Sequence, residues 1–202
     1  MEINYMEKKI LALDIDGTLT NGKKEITQAT KNKIMEIQEM GHIVAIASGR
    51  PLPGIRRIAE ELELGKYGGY VLAFNGGRIV DYKTGDVVYQ ACVDNKLAGE
   101  IYDYISGEAV GMVTYEGDTV ITGCPFDDYM EMEARLNFMP LKHVDNFKEY
   151  INFPINKCLL TAEPDKAEQI EQELNRRYSN NLTVFRSEPF FVEIMPKNVH
   201  KA

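Results

Sequence analysis

Apolar positions along this chain follow two regimes. Through residue 77, short continuous apolar runs alternate with helical stripes. Lys8 to Leu13 reads as a strand. Thr27 reads as the N-cap of a helix that ends at Gly41, with Ile34 and Ile37 on its apolar face. His42–Ala47 is a second strand, a further helix runs from Pro51 or Pro53 to Leu64, and Tyr70–Phe74 is a third strand closed by Asn75-Gly76-Gly77. Strands that are apolar without alternation suit a parallel sheet covered on both faces. The strand–helix–strand–helix–strand order predicts a doubly wound, Rossmann-like α/β core. Such sheets bind ligands at the carboxyl ends of their strands. Asp14/Asp16, Ser48/Arg50 and Asn75 all fall at those ends.

Beyond residue 77 the pattern changes. Arg78–Val93 reads as a hairpin turning at Lys83-Thr84-Gly85-Asp86, followed by a helix over 94–105 with Leu97, Ile101, Tyr104 and Ile105 on one face. Strands flank Glu116-Gly117-Asp118, a helix covers about 126–138, and Ile155–Thr161 is a strand. A helix over Pro164–Tyr178 turns Ala167, Ile170, Leu174 and Tyr178 inward, and strands at 182–187 and 190–195 complete the series. Strand pairs alternating with helices imply an antiparallel sheet with helices on one face. The expected organisation is a first part of the core at 1–82, an inserted α+β module at 83–196, and a return towards the core at 197–202. The inserted module is expected to fold separately, with few contacts to the core.

Composition narrows the function classes. Hydrophobic content of 44% and charged content of 27% are ordinary for a globular protein. A net charge of −8 argues against nucleic acid or an anionic membrane as the main partner, and requires any phosphate site to be locally electropositive. No apolar run approaches a membrane span, and Met1–Tyr5 lacks the basic and apolar character of an export signal. Cys92, Cys124 and Cys158 are dispersed, without a CxxC pair, so a reducing cytoplasm is the expected compartment.

The richest segment is Lys8–Thr20, an apolar strand ending in Asp14-Ile15-Asp16-Gly17-Thr18-Leu19. Alternation along a strand puts Asp14 and Asp16 on the same side. Paired acids repel unless a cation lies between them, or unless one is a nucleophile and the other a proton carrier. Gly17 lets the chain turn with its N–H groups exposed as an anion cradle.

This string resembles the first motif of the haloacid dehalogenase superfamily of phosphohydrolases, and the whole chain resembles its Cof-type branch, which carries a large α/β cap. The resemblance implies that Asp14 attacks phosphorus. Asp16 is then general acid and general base, and its backbone carbonyl touches a Mg²⁺ ion also held by Asp14. Ser48-Gly49-Arg50 resembles the second motif, which binds phosphoryl oxygens together with the Gly17 and Thr18 backbone; Arg50 is a candidate phosphate contact. Asn75-Gly76 resembles the family's third-strand Asn-Gly, which orients the nucleophile or the phosphate. Glu193–Lys201 resembles the return from cap to core, with Lys201 as the catalytic lysine, although its neighbours here are His200 and Ala202 rather than a small polar residue and glycine. Chemistry asks for such cations: a carboxylate about 4 Å from a phosphate dianion is repelled by roughly 8 kcal/mol at an effective dielectric of 20.

The family's fourth motif, a Gly-Asp followed by a further acid, is expected beyond Ala202, as is a fourth parallel strand beside the Asp14 strand. On that reading the sequence covers roughly the first three quarters of a longer protein. The expected function is a Mg²⁺-dependent phosphatase of small phosphorylated metabolites. A phosphotransferase or mutase of the same superfamily is the alternative. A receiver module phosphorylated on aspartate is another, but such modules lack both the two-residue spacing of Asp14 and Asp16 and a large cap.

Overall fold

The computed structural model describes residues 7–200 and contains two sheets. In the first, β1 (Ile10–Asp14), β2 (Ile43–Ala47) and β3 (Gly69–Ala73) pair in parallel. The crossovers carry α1 (Gln28–Glu39), α2 (Leu52–Glu61) and the single turn α3 (Leu64–Tyr67). Thr27 caps α1 as expected, its side chain accepting from the Thr30 N–H, and Ile34 is buried on the inner face.

The same sheet continues with β4 (Arg78–Asp81) and β5 (Val87–Gln90), both antiparallel to their neighbours, in the order β1-β2-β3-β4-β5. The expected boundary at 82/83 therefore cuts through a hairpin of the first sheet and is corrected to a point after Gln90. Asp81 closes that hairpin by accepting from the Lys83 and Thr84 N–H groups at 2.9 and 3.3 Å. Once the turn is made, the nearest unpaired edge available to β5 is β4.

The second sheet has the order β10-β11-β9-β6-β7-β8. It is built from β6 (Val110–Glu116), β7 (Thr119–Thr122), β8 (Leu141–His143), β9 (Cys158–Ala162), β10 (Leu182–Glu188) and β11 (Phe191–Pro196). All pairings are antiparallel except β7 with β8. Four helices accompany it: α4 (Asn95–Ile105), α5 (Asp128–Leu136), α6 (Phe147–Tyr150) and α7 (Pro164–Tyr178).

Alternation along these strands explains the packing. Met112 of β6, Cys158 and Leu160 of β9, and Val192 and Ile194 of β11 face a core shared with Ile101, Ile170 and Leu174 of α4 and α7. Their odd-numbered neighbours Val113, Tyr115, Leu159, Phe191 and Met195 belong instead to one apolar cluster with Ile46, Ile55, Val71 and Phe74 of the first sheet and its helices. The expectation of few contacts between the two modules is thus corrected. One face of the second sheet is apolar on alternate positions, and it buries that surface on the first module.

Candidate active site

Register gathers the polar clusters. Asp14 at the end of β1 lies opposite Ala47 of β2, which lies opposite Leu72 of β3. Ser48 and Asn75 therefore emerge at the same edge as Asp14. After β1 the chain turns back: Leu19 N–H donates to the Asp14 carbonyl and Thr20 N–H to the Ile15 carbonyl, each at 3.0 Å. Gly17 takes a φ of +79° in this turn, a region costly for a residue with a side chain. Buried Ile15 and Leu19 anchor the loop, Asp14 is half-buried, and Asp16, Gly17 and Thr18 are exposed.

Asp16 is held by two cations. Lys24 Nζ donates to it at 2.7 Å, and Arg50 Nη2 donates to both carboxylate oxygens at 3.0 Å. Partial burial works against its charge, but the Lys24 hydrogen bond and the nearby Arg50 and Lys24 charges outweigh that and hold the carboxyl below its usual range. Arg50 thus meets a carboxylate rather than standing free at the helix start.

The second loop is tied down carbonyl by carbonyl. Asn75 N–H donates to the Ser48 carbonyl at 2.9 Å, Phe74 N–H to the Arg50 carbonyl at 3.0 Å, and Lys157 Nζ to the Gly49 carbonyl at 3.2 Å. The buried Ser48 hydroxyl accepts from the Arg50 N–H at 3.2 Å. Phe74 and Asn75 both have left-handed backbones, with φ of +52° and +55°. For a bulky residue such as Phe74 this conformation is strained, and strain of this kind gathers at functional sites. A Cβ on Gly49 would lie 3.0 Å from Asn75 Oδ1, a tight contact that the bare glycine avoids where the two turns meet.

Behind this loop sits a group that sequence reasoning missed. Lys157 and Glu193 are buried, with Nζ 3.6 Å from Oε1, and Glu193 Oε2 accepts from Asn75 Nδ2 at 3.1 Å. Lys157 also lies over the Tyr115 ring, and the buried Tyr115 hydroxyl donates to Glu133 at 2.7 Å. Burial, with the Glu133 charge adding to it, pushes that phenol well above its ordinary range. Nothing in the local pattern marked Lys157, because a lysine beside an apolar run reads as a surface charge. Of the large apolar and aromatic side chains on this module, Tyr115 and Met139 are core, Tyr129 stacks on Phe190, and Phe126 and Phe138 are exposed.

Lys201 lies outside the described residues. The return segment can be followed to His200, whose carbonyl is 3.5 Å from where a Cβ on Gly76 would be, so it runs beside the Asn75-Gly76 turn. Lys197, in the turn after β11, donates to the Ser179 carbonyl on the surface. Among the described residues no group of three or more His, Cys, Asp or Glu side chains is gathered for a metal. Mg²⁺ needs less, since it is commonly held by one or two carboxylates, waters and substrate phosphate. The Asp14 carboxylate and the Asp16 carbonyl, which accepts no backbone hydrogen bond among the described residues, suit so hard an ion.

A strand-end acid pair, a pinned hydroxyl loop one βα unit later and an inserted α+β cap define a capped hydrolase of the α/β class. The model of the haloacid dehalogenase-like hydrolases matches residues 11–202, and the chain belongs to that family, in its Cof-type, large-cap branch. It is 31% identical over 198 residues to M6_Spy0533 of Streptococcus pyogenes serotype M6, a protein named as a candidate phosphatase, covering 97% of this chain and 73% of that one. A 24% identical relative, YwtE of Bacillus subtilis, is named 5-amino-6-(5-phospho-D-ribitylamino)uracil phosphatase, with coverage of 96% and 73%. A solved haloacid dehalogenase-like hydrolase from Bacteroides thetaiotaomicron superposes with a TM-score of 0.89 at 35% identity, covering 96% of this chain and 73% of that one. No described helix is long and apolar enough to cross a membrane.

Proposed function

We propose that this hydrolase is a Mg²⁺-dependent phosphatase of small phosphorylated metabolites, sugar phosphates or similar monoesters, working through a phosphoaspartate on Asp14. The observation that carries the reading is the strand-end register, which sets Asp14 and Asp16 against a Ser48–Arg50 loop with its carbonyls bound from behind. In that arrangement the Gly49 N–H, the Ser48 hydroxyl and the Gly17 and Thr18 N–H groups are left to face phosphoryl oxygens. Lys201, by resemblance, adds a cation.

Asp14 attacks phosphorus in line, forming an acyl phosphate as the ester P–O bond breaks, while Asp16 gives its proton to the departing alcohol. Asp16 then takes a proton from the water that hydrolyses the acyl phosphate. Its ion pairs favour the charged form before substrate arrives. An incoming phosphate dianion competes for Arg50 and raises the carboxyl again by like-charge repulsion, so that protonation accompanies binding. Mg²⁺, held by the Asp14 carboxylate and the Asp16 carbonyl, would neutralise charge between nucleophile and phosphate.

A cleft of about 230 Å³ at the junction of the modules, lined by Leu52, Phe74, Arg78, Tyr115 and Phe153 among others, offers room for a small leaving group with apolar and polar parts. The phosphoribityl compound in the name of YwtE is of that chemical kind. The test is phosphate release from a panel of sugar and polyol phosphates, with Mg²⁺ and with EDTA. Hydrolysis that persists in EDTA would sink the metal assignment. Transfer of the phosphoryl group to a second sugar, in place of release, would mark a phosphotransferase.

A further inference from the structure

Lys157 immediately precedes β9 of the cap sheet, yet its ammonium donates to the carbonyl of Gly49 in the Ser48–Arg50 loop of the first module, 108 positions away. Burial makes this contact unusual. The Lys157 side chain is 4% exposed and that of its ionic partner Glu193 is 8%. A charge kept out of water needs compensation at close range. Here Glu193, the Gly49 carbonyl and the Tyr115 ring supply it. Strand parity places Glu193, between Phe191 and Met195 of β11, on the sheet face that packs on the first module, and Lys157, just before β9 and two positions before Leu159, meets it there.

The consequence follows from peptide geometry. In a trans peptide the C=O and the following N–H point in opposite directions. Asn75 N–H fixes the Ser48–Gly49 peptide by its carbonyl, and Phe74 N–H fixes the Arg50–Pro51 peptide. Between them, the Gly49–Arg50 peptide is fixed by Lys157, and its N–H then points to the Ser48 hydroxyl, where it donates at 3.2 Å. Gly49 leaves that peptide freer to rotate than any other residue would. The first module ties the two outer peptides itself, and the cap ties the middle one.

We infer that Lys157, balanced by Glu193, is a positioning residue that orients the Gly49–Arg50 peptide and the Ser48 hydroxyl for phosphoryl oxygens, so that seating of the cap and affinity for phosphate are coupled. The inference rests on the phosphatase reading for its ligand. It makes the Lys157–Glu193 pair a fixed point of the cap: the same contact that seats the cap sheet completes the anion site. Coupling of this kind is reciprocal. Phosphate that prefers the pinned loop also holds the cap against the first module.

The test uses the full-length protein with inorganic phosphate as the probe, titrated calorimetrically and as a competitive inhibitor. Amide hydrogen exchange at Gly49 and Arg50 is followed in parallel without phosphate. Lys157→Met alone leaves Glu193 buried without its cation and can unfold the protein, so the decisive variant is Lys157→Met with Glu193→Gln, which removes both charges. Loss of one charged hydrogen bond from the loop predicts about tenfold weaker phosphate binding and faster exchange at the Arg50 amide. Lys157→Arg, which keeps a charged donor, should recover part of the affinity. The substrate KM should rise by more than kcat falls, whereas simple loss of folded protein would lower kcat alone. Unchanged phosphate affinity and unchanged exchange in the folded double variant would overturn the inference and leave the phosphatase reading intact. A wild-type protein that binds no phosphate would overturn both.

Discussion

Asp16 and Lys24 meet the Ser48–Arg50 loop through the Arg50 side chain, and Lys157 with Glu193 meets it through the Gly49 carbonyl. Both are carboxylate–cation groups touching the same short segment, but the side chains of the first are 41%, 67% and 30% exposed, against 4% and 8% for the second. Water screens the first group and can replace any of its partners, so its ion pairs add little stability and exchange readily with a charged substrate. The second group has no such freedom. Removing one member would leave an uncompensated charge among apolar side chains. The open cluster is therefore suited to chemistry, in which partners must change, and the closed one to holding a shape.

The largest expected effect falls on the open side. Asp14→Asn replaces the attacking carboxylate by an amide that cannot form the acyl phosphate. Phosphate release should fall to background while the fold persists. Substantial turnover by this variant would end the nucleophile assignment. Asp16→Asn should follow, with a loss of roughly 10²- to 10⁴-fold for esters of ordinary alcohols. Esters with good leaving groups need little protonation and should lose much less, so rates measured across a leaving-group series separate an acid role from a merely electrostatic one. A uniform loss would count against the acid.

On the closed side the effect should appear as stability. Lys157→Met by itself should cost about 3–5 kcal/mol in urea unfolding, the usual range for breaking one partner of a buried pair. Combining it with Glu193→Gln should restore a good part of that, since the orphaned charge is then gone. Equal losses for the single and double variants would mean that packing of the lysine stem, rather than ionic compensation, governs this region.

The two clusters also differ in how far a sequence discloses them. Asp14, Asp16, Ser48 and Asn75 stand where apolar strands stop, and a polar residue in that position has few structural explanations. Lys157 and Glu193 lie beside apolar runs, where a charge reads as the solvent-facing alternate of a strand. Only the docking of one sheet on another turns that face inward. The β5 strand shows the converse: the hairpin was legible from its turn, but Val87, Val88 and Tyr89 are exposed and gave no sign of which sheet would take them. The short elements β8, α3 and α6, of three or four residues, are below the length at which periodicity can be read. Tertiary pairing creates them.

Arg56 of α2 and Asp118 of the β6–β7 turn supply the smallest expected effect and the sharpest control. They form a 2.8 Å ion pair between the first module and the cap, as Lys157 does with the Gly49 carbonyl, but their side chains are 45% and 61% exposed. If bridging the modules were what mattered, Arg56→Ala would act like the Lys157 variant. If burial is what matters, it should not. A double-mutant cycle with Arg56→Ala and Asp118→Ala should give a coupling energy below about 1 kcal/mol, falling further as salt is added. Phosphate affinity should be unaltered, because the bond they form joins them to each other and ties no carbonyl of the 48–50 loop. A coupling of several kcal/mol, or a clear loss of phosphate binding in Arg56→Ala, would show that any strap across the junction controls the site, and would remove the distinction between the open and the closed cluster.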